Sequence, residues 1–110
     1  MSVSDLYKGS LSSIVLQLIE QQGELYGYQL TQMAKEISNG QLTITESTLY
    51  PLLHKLESEG KLESELKPFG NRVRKYYRLT KKGKKEQKIA FENLQEYIAQ
   101  LQLFLQPKLN

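Results

Sequence analysis

Apolar residues recur with a helical period through the first sixty positions. Leu11, Ile14, Val15, Leu18 and Ile19 share one face of a helix predicted over residues 10–21, with Gly23 just past its end. Leu30, Met33, Ala34 and Ile37 do the same over residues 27–38, where Asn39 and Gly40 supply a stop. LTI (42–44) follows as a short β-like spacer. Then STLYPLLHKLESEG places Leu49, Leu52, Leu53 and Leu56 at i, i+3, i+4 and i+7 of a third helix. Thr45 is its predicted N-cap, Glu46 suits its first turn, and Gly60 stands where a C-terminal glycine belongs. Pro51 lies inside this helix. A start at Thr45 or just after puts it near the end of the first turn, where a missing N–H costs little.

Beyond Gly60 the period changes from 3.6 to 2. In KLESEL (61–66), Leu62, Ser64 and Leu66 alternate with Glu63 and Glu65. In RVRKYYRL (72–79), Val73, Lys75, Tyr77 and Leu79 alternate with Arg72, Arg74, Tyr76 and Arg78. KPFGN (67–71) separates the two runs, so a β-hairpin is predicted, with Gly70 or Asn71 at positive φ and Val73, Tyr77 and Leu79 facing inward. Thr80 can cap a last helix over residues 81–105. There Phe91, Leu94, Ile98, Leu101 and Leu105 step by 3, 4, 3 and 4, and Ala90, Tyr97 and Phe104 widen the stripe. The fold class is mainly α with a small β-hairpin. Three short helices, a ribbon and a long helix follow the winged helix-turn-helix plan, whose third helix reads and whose ribbon tip is the wing. Residues 1–80 are expected to form the winged domain and 81–110 a C-terminal dimerisation helix, together one compact unit.

With 110 residues the core is small, and burying more surface in an oligomer is a common remedy. There is no Cys, hence no disulfide framework, thiolate nucleophile or zinc–thiolate cluster. His54 is the sole histidine, so no metal site and no cofactor are expected. Scattered Ser, Tyr and Glu form no nucleophile–base set, and every glycine stands singly, so an enzyme is not expected. The apolar run at residues 14–19 is broken by Gln17, which argues against a signal peptide or membrane span and for a cytoplasmic location.

Charge narrows the choice further. Residues 67–88 carry ten basic residues against one acid, a net of +9, while the rest of the chain is at −6. A basic block on an acidic domain suits a polyanion, although a solvated charge run is the plain alternative. On the side of the third helix away from its leucines stand Ser47, Thr48, Tyr50, Pro51, His54 and Lys55, near the end where reading helices meet base edges and phosphates. Tyr26 and Tyr28 flank the start of the second helix, where they either pack or donate to a phosphate. On the ribbon, Arg72, Arg74 and Tyr76 share the outer face, and Asn71 and Arg72 occupy the tip. Arg74 or Arg78 could instead pair across the strands with Glu63 or Glu65. Leu11 on the first helix and Phe91, Leu94, Tyr97, Ile98, Leu101, Phe104 and Leu105 on the last are the candidate dimer surface.

LYKGSL (6–11), ELYGYQL (24–30), STLYPLLHKLESEGKLES (47–64), RKYYRLT (74–80) and KKG (81–83) occur together in one order. In these segments the chain resembles the PadR family of winged helix-turn-helix transcriptional regulators, in its shorter branch with a single C-terminal helix. The resemblance implies a DNA-binding, usually repressing homodimer, held by the last helix and released by a small-molecule or other effector at the dimer interface. It also implies a place at the DNA for Tyr50, which could otherwise be partly core. Double-stranded DNA with a palindromic operator is the expected partner. A winged-helix module for protein–protein contact without DNA is the competing function.

Overall fold

A computed structural model describes residues 6–106. The expected domain limits at 1–5 and 107–110 lie outside the described residues. A 3₁₀ turn (Tyr7–Ser10) leads into α1 (Leu11–Gln22), followed by β1 (Leu25–Tyr26), α2 (Gly27–Ile37), α3 (Glu46–Ser58), β2 (Leu62–Phe69), β3 (Arg72–Leu79) and α4 (Lys81–Leu105). The fold is the winged helix-turn-helix with one C-terminal helix.

The leucine stripe of α3 forms the centre of the core. Leu49, Leu53 and Leu56 are buried against Val15, Ile19 and Leu30, and Leu52 packs at the margin. Fully burying such a side chain contributes about 1.5–3 kcal/mol, which outweighs any local preference at these positions. The helix ends follow from single residues. Asn39, at φ 54, lets the Gly40 and Asn39 N–H groups return to the carbonyls of Lys35 and Glu36. Gly60, at φ 77, does the same for α3, with Lys61 N–H on the Leu56 carbonyl and Gly60 N–H on Glu57.

Several expectations are corrected. Pro51 is the sixth residue of α3, not the end of its first turn. The first i→i−4 bond comes from Leu49 to Thr45, so proline removes an interior bond and leaves the Ser47 carbonyl without its helical partner. The 42–44 spacer forms no strand: Leu42 and Ile44 are buried and Thr43 is exposed, but no sheet edge lies beside them. Ile37 is 65% exposed rather than inward, because α2 ends there and nothing covers its last turn.

β1 is short enough to escape a periodicity search, yet it completes a three-stranded antiparallel sheet in the order β1-β3-β2. The hairpin is also longer than its alternation predicts. Its strands run through Lys67, Pro68 and Phe69 to a two-residue turn, where Gly70 takes φ 59 and Asn71 does not go positive. Pro68 is tolerated because β2 is an edge strand. Tyr77 and Leu79 face the core as expected, but Val73 is 63% exposed, since the core ends beneath Tyr77 and the wing projects past it.

α4 starts on a close contact. Thr80 caps it by accepting from Gly83 N–H at 3.0 Å, and its own hydroxyl donates to the Gly60 carbonyl. α1 packs along α4, with Gln87 donating to Gln17. The far turns of α4 run clear of the body, and Phe104 and Leu105 are 85% and 81% exposed.

Candidate nucleic-acid interface

α3 begins with hydroxyls. Thr45 is the N-cap residue, but its side chain meets the Ser47 and Thr48 hydroxyls at 3.0 and 3.1 Å rather than a backbone N–H. The first-turn donors of α3 are therefore not closed off by their own cap, and the positive end of the helix dipole faces outward. Ser47, Thr48, Pro51, His54 and Lys55 are all exposed, as the leucine stripe dictates.

Tyr50 bridges two of the sequence motifs. A Cβ on Gly27 would meet the Tyr50 hydroxyl at 3.1 Å and its ring at 3.3 Å, so the glycine between Tyr26 and Tyr28 is what lets α3 approach the start of α2. Tyr50 packs against Gly27 yet remains 49% exposed, so it is only partly core. Tyr28 is exposed and Tyr26 half-buried, while Gln29 reaches back to accept from the Tyr26 N–H.

These elements enclose a cleft of about 490 Å³ between α3, the N-terminus of α2 and β3. Tyr26, Tyr28, Tyr50, His54, Arg74 and Lys75 line it. One wall is hydroxyl-bearing and the other is cationic, which suits an anionic backbone. The structure thus brings Tyr26, Tyr28, Tyr50 and His54 together with Arg74, while Ser47, Thr48, Pro51 and Lys55 stand exposed outside the cleft lining. It does not bring in Asn71 and Arg72, which stand at the exposed turn beyond the cleft.

The basic block divides into groups with different uses. Lys75 lies 3.5 Å from Glu57, which also accepts from the Ser64 hydroxyl, so α3, β2 and β3 are tied at one point. The Ser64 hydrogen bond is the main reason the Glu57 carboxyl titrates below its ordinary value, with burial opposing it and Lys75 assisting. Arg78 takes the cross-strand alternative, pairing with Glu63 and Glu65 at 2.8 and 2.9 Å. Lys67 pairs with Glu24 at 2.6 Å. Lys81, Lys82, Lys84 and Lys85 sit beyond the base of the wing, where Lys82 donates to the Glu59 carbonyl. A strand of eight residues, roughly 26 Å, separates them from the tip.

The candidate dimer surface lies elsewhere. Phe91, Leu94 and Ile98 of α4 line an apolar groove with Ile14 and Leu18 of α1. Leu101, Tyr97, Phe104 and Leu105 continue it as exposed residues. Ile37, misplaced by its period, lines the same groove. Leu11 does not join it: it packs on the core and lines a separate hollow with Tyr7, Leu42 and Thr48. Among the described residues no group of His, Asp and Glu is arranged to hold a metal, and no helix is long and apolar enough to cross a membrane.

Known proteins fit this arrangement. A PadR-like transcriptional regulator of Bacillus cereus superposes with a TM-score of 0.83 at 28% identity, over 96% of this chain and 100% of that one. The Bacillus subtilis PadR, solved in complex with operator DNA, superposes with a TM-score of 0.65 at 34% identity, over 71% of this chain and 44% of that one. The transcriptional regulator Rv3488 of Mycobacterium tuberculosis is 41% identical over 56% of this chain and 54% of its own. The model of the transcriptional regulator PadR-like family matches residues 15–89, the span from within α1 to the first third of α4, and the chain therefore belongs to that family.

Proposed function

We propose that the protein binds double-stranded DNA as a homodimer and represses transcription at a palindromic operator until an effector releases it. The observation that carries this reading is the cleft, where Tyr50 and His54 of α3 and the tyrosines at the start of α2 meet Arg74 and Lys75 of the wing. The operator complex of the Bacillus subtilis PadR supports it by kinship. The exposed dimer stripe supports two copies, which would present two reading helices one DNA turn apart.

Selection of bound duplexes from random DNA tests the reading. A palindrome with half-sites roughly one helical turn apart is expected. Thr48 and His54 are expected to help choose its sequence, since the buried leucines turn both outward. Alanine at either should leave stability within about 1 kcal/mol, as surface changes usually do. A lost base contact costs about 1–3 kcal/mol and relaxes choice at one position. If both variants return the parent motif at the parent affinity, α3 is a strut and not the reader.

Arg72 at the tip makes no ion pair among the described residues, and its role here is a phosphate contact. Arg72→Ala is expected to weaken all duplexes alike. It should lower the slope of log K against log salt by about two per dimer, one for each lost contact. An unchanged slope means the tip does not meet DNA.

A protein partner in place of DNA has one observation in its favour: Leu66, Pro68 and Val73 form an exposed apolar strip on the wing. Binding to duplexes that weakens steeply with salt decides for DNA. No measurable duplex affinity even at low salt overturns the DNA reading.

A further inference from the structure

The outer face of the sheet carries a stack that the cleft alone does not explain. Arg74 reaches from β3 over both neighbouring strands. Its guanidinium carbon lies 3.3 Å from the ring centroid of Phe69 on β2 and 4.3 Å from that of Tyr26 on β1. The register accounts for the reach. Arg74 stands opposite Lys67, Phe69 opposite Arg72 and Tyr26 opposite Tyr76, so both rings are diagonal neighbours of the arginine. β1 and β2 do not pair with each other, and this one side chain joins the far end of the wing to the residue that opens α2. The stack is braced from behind. Tyr76 meets Tyr26 edge-on at 5.3 Å, and Lys67, held by Glu24, lies 5.0 Å over Tyr76.

What the guanidinium lacks is an acceptor. Arg74 is half-buried, yet it makes no hydrogen bond or ion pair among the described residues, whereas Arg78 further along the same face is satisfied by two glutamates. Stacking occupies the flat faces of the group and leaves its rim of five N–H donors. A guanidinium already fixed in plane loses little freedom on meeting an oxyanion, and its fork matches phosphate. Arg74 is also among the residues that line the cleft with Tyr26, Tyr50 and His54.

We infer that Arg74 is a pre-oriented phosphate fork for the DNA backbone, and that Phe69 is the positioning residue that holds it, with Tyr26 as the second ring. The inference rests on the DNA-binding reading above. Phe69 does not itself line the cleft, and it acts through the arginine. Lysine at 74 would keep the charge but lose both the stack and the fork.

Binding of a mixed-sequence duplex, followed by anisotropy over a range of salt, tests it with the full-length protein. Arg74→Met keeps the bulk and removes the charge. It should lower the salt slope by about one per protomer, with an affinity loss of roughly tenfold for each contact. Phe69→Leu keeps an apolar side chain and removes the ring. It should weaken binding roughly threefold per protomer, and Phe69→Trp should restore it, while the melting temperatures of all three variants stay close to that of the parent. A parent that binds no duplex overturns the DNA reading itself. A parent that binds, with Arg74→Met showing its slope, overturns the fork alone. A Phe69→Leu variant that binds like the parent, or one that Phe69→Trp does not rescue, overturns the positioning role.

Discussion

Aspartate at Ile98 and Leu101 together is expected to give a monomer that loses most of its DNA affinity. Both side chains are about half exposed on α4, in line with Tyr97, Phe104 and Leu105. Leu94 belongs to the same stripe but is half-buried, so a charge there would disturb the protomer more than one at Ile98 or Leu101. An exposed apolar row of this length is uncommon on a monomer and marks a contact surface. Two carboxylates per helix facing two more across a twofold axis add repulsion to lost burial. Losing the second copy removes the linked half-site, and linkage of two sites is typically worth 10²–10⁴ in apparent affinity. Sedimentation velocity reads the first effect and duplex titration the second. A double variant that still sediments as a dimer at micromolar concentration would show that α4 is not the dimer helix.

Alanine at Gly83 is expected to cost about 3 kcal/mol or more, at the upper end of what overpacking usually does. A Cβ there would stand 1.9 Å from the Lys61 carbonyl oxygen and 2.9 Å from its carbon. The obstacle is backbone at the start of β2, so it cannot rotate away as a side chain would. The same carbonyl accepts from Thr80 N–H, and the Thr80 hydroxyl holds both Gly60 and Gly83, so displacing α4 breaks several bonds at once. For a domain of this size that loss corresponds to a fall of more than roughly 10 °C in melting temperature. Calorimetry decides. A change of a few degrees would mean that α4 can shift off β2 cheaply.

The helices, the hairpin and the cap at Thr80 were legible because each depends on local patterns: a 3.6 or 2 period, a turn glycine, a hydroxyl at a helix start. The candidates on α3 were legible for a related reason. Once four leucines claim one side of a helix, geometry assigns the remaining residues to the other. Family segments added the identity of the plan, and the match across residues 15–89 bears that out. Local pattern failed where burial depends on what lies opposite. Ile37 has the right period for α2 but no neighbour to cover it, and Val73 has the right alternation on a wing that outruns its core. The two-residue β1 carries no period at all, and its place is set by Tyr76 and Tyr77 across the ladder.

Charge shows the division most clearly. Along the chain, residues 67–88 are one basic block, and that much the sequence determined by itself. Only the tertiary structure decided which of those cations face a partner. Antiparallel pairing set Arg78 against Glu63 and Glu65, the approach of β1 brought Glu24 to Lys67, and the packing of α3 put Glu57 beside Lys75. Arg74 was placed between two rings from strands 43 residues apart in sequence, counting Tyr26 to Phe69, and kept its donors. A charge is a property of one residue, but its availability depends on every group within a few ångströms, and those neighbours come from distant parts of the chain.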